Sequence, residues 1–162
     1  MIRTLTAAAL AVCLAAGSLA AQTLPATPQA CPDTATTPVD ASLQAALDLV
    51  NAQRKQAGVA PLTLNPLLTK AAQSFADDMA AYNYFSHYGR DGSTPGSRIT
   101  AAGYKWSSYG ENIAKGYASW QDAIRGWMNS PGHRANMLNA RFKEIGLGVK
   151  NRVYVQDFAT SR

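Results

Sequence analysis

Trp127-Met128-Asn129-Ser130-Pro131-Gly132-His133-Arg134-Ala135-Asn136-Met137-Leu138-Asn139 joins the end of one expected helix to the start of another and sets a histidine at the join. Ser130 before Pro131 reads as an N-cap with proline at the first helical position, where a missing N–H removes no helical bond. His133 then falls in the first turn of the new helix, near unsatisfied backbone N–H groups and the positive end of the helix dipole. Such a position disfavours imidazolium, so His133 is expected to be neutral at pH 7 and free to act as a base or a ligand. The plainer alternative is a histidine that packs and hydrogen-bonds in a turn. It has company, however. His87, in Tyr84-Phe85-Ser86-His87, is the only other histidine, and Glu111, in Gly110-Glu111-Asn112, is one of only two glutamates.

Working outward, Leu43, Leu47, Val50 and Ala57 share one face of a helix expected over residues 41–57, with Gly58 as its stop. Asn51 and Arg54 on that helix read as polar ties to a neighbouring loop. Asn65-Pro66 starts a second helix running to about residue 83, with Leu68, Ala71, Ala72, Phe75 and Met79 inward. His87 follows at its helix-to-loop junction. Residues 88–97 are rich in Gly, Asp, Ser and Pro and read as a surface loop, after which Thr94-Pro95 opens a short helix that Gly103 ends. Residues 104–114 read as loop and strand carrying Glu111, and Asn112 beside it as an organiser of backbone. Ser119 with Asp122 resembles a capping box for a helix whose apolar stripe includes Trp120 and Trp127, both assigned to the core. Residues 145–149 and 153–159 read as two strands joined by a tight turn at Asn151-Arg152. Their apolar residues occur at both parities, which implies a sheet covered on both faces and an α+β fold.

The chain of 162 residues is 47% hydrophobic and 15% charged, enough for one packed domain with processed ends. Met1-Ile2-Arg3, an apolar run to Ala16 and Ser18-Leu19-Ala20 read as a signal peptide over residues 1–20, too short to span a bilayer. The expected location is secreted, extracellular or periplasmic. A Pro/Thr/Ala-rich linker is expected over residues 21–39. Cys13 leaves with the signal, so Cys31 stands alone and no internal disulfide can form. The net charge of +5 falls to +4 without Arg3, and its bases are scattered. Nucleic-acid binding is therefore not expected, while the charge is compatible with weak attraction to anionic envelope polymers or lipids. A monomer with no transmembrane segment after signal cleavage is expected.

In this order, several blocks resemble the bacterial branch of the CAP superfamily (cysteine-rich secretory, antigen 5 and pathogenesis-related 1 proteins; also called the SCP domain). They include Phe85-Ser86-His87, Asp91-Gly92-Ser93-Thr94-Pro95 with Arg98-Ile99, Gly110-Glu111-Asn112-Ile113-Ala114, Trp127 to Arg134, Ile145-Gly146-Leu147-Gly148-Val149 and Gln156-Asp157-Phe158-Ala159. The resemblance implies a CAP domain over residues 40–162, built as an α-β-α sandwich around a three-stranded antiparallel sheet with helices on both faces. It also implies a cleft with two histidines and two glutamates, sometimes holding a divalent metal such as Zn²⁺. The histidines fall on His87 and His133 and one glutamate on Glu111; Ser130 stands where the second glutamate is expected. Glu144 is not assigned to the site. Many eukaryotic members are disulfide-braced, unlike this chain.

His87, Glu111 and His133 are thus the candidate metal ligands and the candidate catalytic residues. Two imidazoles and a carboxylate can form a zinc triad open to water, or an acid/base pair with an orienting carboxylate. Neither H-E-x-x-H nor G-x-S-x-G occurs. Three readings follow: a binding module for a metal and an envelope-derived lipid or glycan, a metal-assisted hydrolase of peptide or cell-wall polymer, and an extracellular scaffold with structural histidines.

Overall fold

The computed structural model describes residues 38–162, with side chains from residue 41 onward. The expected signal segment, Cys13, Cys31 and the expected linker up to residue 37 lie outside the described residues. Five helices and four strands follow in the order α1 (Pro38–Gln56), β1 (Thr63–Leu64), α2 (Pro66–Ala81), α3 (Pro95–Ala101), β2 (Trp106–Lys115), α4 (Trp120–Met128), α5 (Pro131–Met137), β3 (Glu144–Lys150) and β4 (Val153–Ser161). Helix α1 takes in the last two residues assigned by sequence to the linker.

Local chemistry accounts for the element ends. The Asn65 side chain accepts from the N–H groups of Leu67 and Leu68, and Thr94 and Ser97 form a reciprocal capping box. Asn151 and Arg152 both take positive φ, as a two-residue turn between right-twisted strands requires.

The sheet is four-stranded and mixed, in the order β1-β3-β4-β2, which corrects the expected three-stranded antiparallel sheet. Strands β2, β4 and β3 are antiparallel, and β1 adds parallel to β3. Thr63 N–H donates to the Lys143 carbonyl and Asn65 N–H to that of Ile145. Two residues show no alternation of apolar and polar side chains, so nothing in the sequence pattern marks β1.

Helices cover both faces, as the sequence implied. Alternate residues of β4 divide the core: Tyr154 and Phe158 pack with α1 and α4, whereas Val153 and Val155 pack with α2. Ala159 joins α2 and α3 through Leu68 and Ile99. Gly146 and Gly148 let α2 lie directly on β3. A Cβ at Gly146 would stand 2.0 Å from the Leu68 carbonyl carbon, and one at Gly148 2.4 Å from that of Ala72. In α1, Leu43, Leu47 and Val50 are buried as expected, but Ala57 lies beyond the helix and exposed; the buried residue of the last turn is Arg54.

Candidate functional site

Glu111 lies on β2 opposite Asp157 of β4, and its parity with Ile113 puts it on the α2 face of the sheet. The loop after α2 carries His87 to it. His87 Nδ1 is 2.7 Å from Glu111 Oε1, and the histidine side chain is 47% exposed against 2% for the glutamate. An ionised Glu111 accepts the proton of Nδ1, which leaves the lone pair of a neutral His87 on Nε2.

The other oxygen, Oε2, receives Arg98 Nη2 at 2.6 Å. Arg98 comes from α3, donates through Nη1 to the carbonyls of His87 and Ser93, and stacks on Phe75 with its guanidinium carbon 3.4 Å from the ring centroid. It therefore fixes the His87 loop as well as the carboxylate. Its role emerges only from tertiary pairing; the sequence signal was its place in a block with the Asp91–Pro95 loop.

His133 is the third residue of α5. Its Nδ1 lies 2.9 Å from Ser130 Oγ, so the Ser130 hydroxyl binds the imidazole instead of capping the helix backbone. Ser130 still holds the N-cap position. Burial first, and the nearby His87 second, lower the His133 pKa from its ordinary value. The neutral imidazole expected from the sequence is favoured, with desolvation as the leading cause. Asn112 donates to the His133 carbonyl at 3.1 Å and to Gln156, and accepts from Asn136, so it anchors α5 to the sheet as a backbone organiser.

Asp157 completes the buried charge group and was missed as such by sequence reasoning. It is 1% exposed, and neither carboxyl oxygen has a hydrogen-bond partner among the described residues. Burial, then the Glu111 carboxylate, push its pKa well above the ordinary carboxylate value, with Arg98 pulling the other way. The available signal was an acid inside a strand apolar at both parities. Glu144, by contrast, is held by Asn65 and Tyr104, away from these residues.

The structure joins His87 to Glu111 directly and sets His133 close enough to His87 for their charges to interact. Among the described residues, no three His, Cys, Asp or Glu side chains are grouped to hold a metal ion.

The profile of the CAP family, described as the cysteine-rich secretory protein family, matches residues 47–158. The chain belongs to this family. The chain is 34% identical over 148 residues to the protein YkwD of Bacillus subtilis (strain 168), covering 89% of this chain and 58% of that one. An extracellular protein of Bacillus anthracis containing an SCP domain has a similar structure, with TM-score 0.71 and 32% identity over 76% of this chain and 43% of that chain. The chain thus spans little more than half of YkwD and less than half of the B. anthracis protein. An outer surface protein of Borrelia burgdorferi shares the fold, with TM-score 0.70 at 20% identity over 78% of this chain and 97% of that one. No helix among the described residues is long and apolar enough to cross a membrane.

Proposed function

We propose that this CAP domain is an extracellular binding module, with His87 and His133 as the seat of a divalent ion such as zinc and an envelope-derived lipid or glycan as its ligand. The carrying observation is the engagement of Glu111. Both its oxygens are engaged, by His87 at 2.7 Å and by Arg98 at 2.6 Å, which casts Glu111 as an orienting carboxylate more than as a general base. With Ser130 in the place of the family's second glutamate, binding is favoured over hydrolysis.

Each imidazole is tethered at Nδ1, His87 by Glu111 and His133 by Ser130, which leaves Nε2 for an external partner. This donor set suits an ion held by two nitrogens and completed by water, with Glu111 as the outer carboxylate that orients His87. A bound ion would polarise a ligand oxygen. Tyr82, Phe85 and Tyr88 are exposed on the loop that carries His87, and their flat rings beside polar groups suit a sugar ring or a lipid headgroup. The extracellular assignment draws support from the signal-like first 20 residues and from the extracellular and surface proteins that share the fold.

Calorimetric titration with zinc at pH 7.5 tests the metal seat. Binding is expected in the unaltered protein, with loss in both His87→Ala and His133→Ala. Glu111→Gln is expected to weaken it about 10–100-fold, as outer-shell changes do. Unchanged affinity in the histidine variants places the ion elsewhere, and no binding at all favours the scaffold reading.

A further inference from the structure

A cavity of about 780 Å³ lies between α2, α3 and the loop at residues 89–93, within the usual size range of ligand pockets. Its apolar lining consists of three alanines, Ala71, Ala101 and Ala102, with one large residue, Phe75. Its charges are divided by position. Lys70, Ser74 and Asp78 recur every four residues along α2 and so share one helix face. At 1.5 Å per residue, Lys70 and Asp78 stand about 12 Å apart along the axis.

Lys70 is exposed and forms no ion pair among the described residues. At the opposite end lies Asp78, and Arg90 with its chain neighbour Asp91 lines the same cavity. Arg90 is located at that end because its guanidinium carbon sits 3.5 Å from the ring centroid of Tyr82, the residue that caps α2. Asp78 gives one oxygen to the Tyr84 hydroxyl and has the other to offer. The dipole of α2 has the same sense, positive toward Lys70 and negative toward Asp78. Arg98, between the ends, is already neutralised by Glu111.

We propose that this cavity binds a short zwitterionic peptide of about three to four residues, its carboxylate end toward Lys70 and its ammonium end toward Asp78 and Asp91. Three to four extended residues at about 3.3–3.6 Å each span the distance between the charged ends. A fatty acid would pair its carboxylate with Lys70 but bring no cation to Asp78, so that charge would be desolvated without a partner. The alanine-rich lining leaves room for small side chains. The proposal does not depend on the metal seat, with which the cavity shares only Arg98.

The test is a titration of the protein with tetraalanine bearing free ends, followed through backbone amide chemical shifts. Saturable shifts on α2 and α3 are expected, and the N-acetylated and C-amidated peptides should each bind at least tenfold more weakly. Lys70→Ala should remove the preference for the free carboxylate, and Asp78→Asn should reduce the preference for the free ammonium. A chelator should leave the affinity unchanged, which separates this site from the ion. The proposal is overturned if tetraalanine does not bind, if the doubly blocked peptide binds equally well, if the shifts map away from α2 and α3, or if decanoate binds as tightly.

Discussion

Asp157 places a carboxyl between a sheet and the helices that cover it, with no hydrogen-bond partner for either oxygen among the described residues. Its raised pKa fixes the sign of its effect on stability. The folded state holds the proton at pH values where the unfolded chain has released it, so stability falls as pH rises from about 4 toward the folded value. Asp157→Asn removes that slope. Thermal melts should show the variant gaining on the native protein between pH 4 and pH 7; a constant difference across that range would mean the carboxyl does not titrate as argued. His133 has the opposite slope. Its pKa is lowered on folding, so stability declines as pH falls below about 6.5, and His133→Asn should flatten that acid-side loss in the same melts. The candidate site was legible in sequence where rare residue types stood in motif blocks, as with His87, Glu111 and His133. Arg98 and Asp157 were not legible as members, because one acts through a partner thirteen residues away and the other through a strand pairing that only the fold creates.

At the scale of elements, reading succeeded where a period or a cap exists. The α2 face, the Asn65 and Thr94 caps and the hairpin at Asn151-Arg152 all follow from local chemistry. Strand β1 escaped because two residues have no period, and the Ser130 hydroxyl was assigned to backbone because its alternative partner is a side chain. The packing of α2 on β3 makes the sharper prediction. Gly146→Ala forces a Cβ against the backbone of Leu68, and backbone cannot turn aside as a flexible side chain can. The expected cost is about 3 kcal/mol or more, at the upper end of overpacking effects, read as a lower urea midpoint at unchanged slope. Because α2 carries Lys70 and Asp78 and leads into the His87 loop, the same change should weaken both zinc and tetraalanine binding. Wild-type binding in a destabilised Gly146→Ala protein would show that the site is held independently of this contact.

At the scale of the whole molecule, residues 38–162 hold their loops without any disulfide among themselves. Both cysteines, Cys13 and Cys31, precede the described residues, so residues 38–162 contain none. Arg54 supplies a brace instead. It is fully buried in α1, and burial lowers its pKa below the ordinary guanidinium value. Its Nε donates to the Ala60 carbonyl at 2.7 Å, Nη1 to Met137 at 2.7 Å and Asn139 at 3.1 Å, and Nη2 to Phe142 at 3.4 Å. One planar fork thereby ties the end of α1 to the loop before β1 and to the segment between α5 and β3. Asn51 adds a two-way bond to the Leu62 backbone one turn earlier. Arg54→Ala strands several buried carbonyls and should cost about 3 kcal/mol or more. Arg54→Lys should recover little of it, since a single ammonium cannot reach carbonyls spread around a guanidinium. The melting temperature of the native protein should be the same with and without reductant. A drop on reduction that persists in Cys31→Ser would overturn the account, whereas a drop abolished by Cys31→Ser would trace to a linked dimer and leave Arg54 as the brace within each chain.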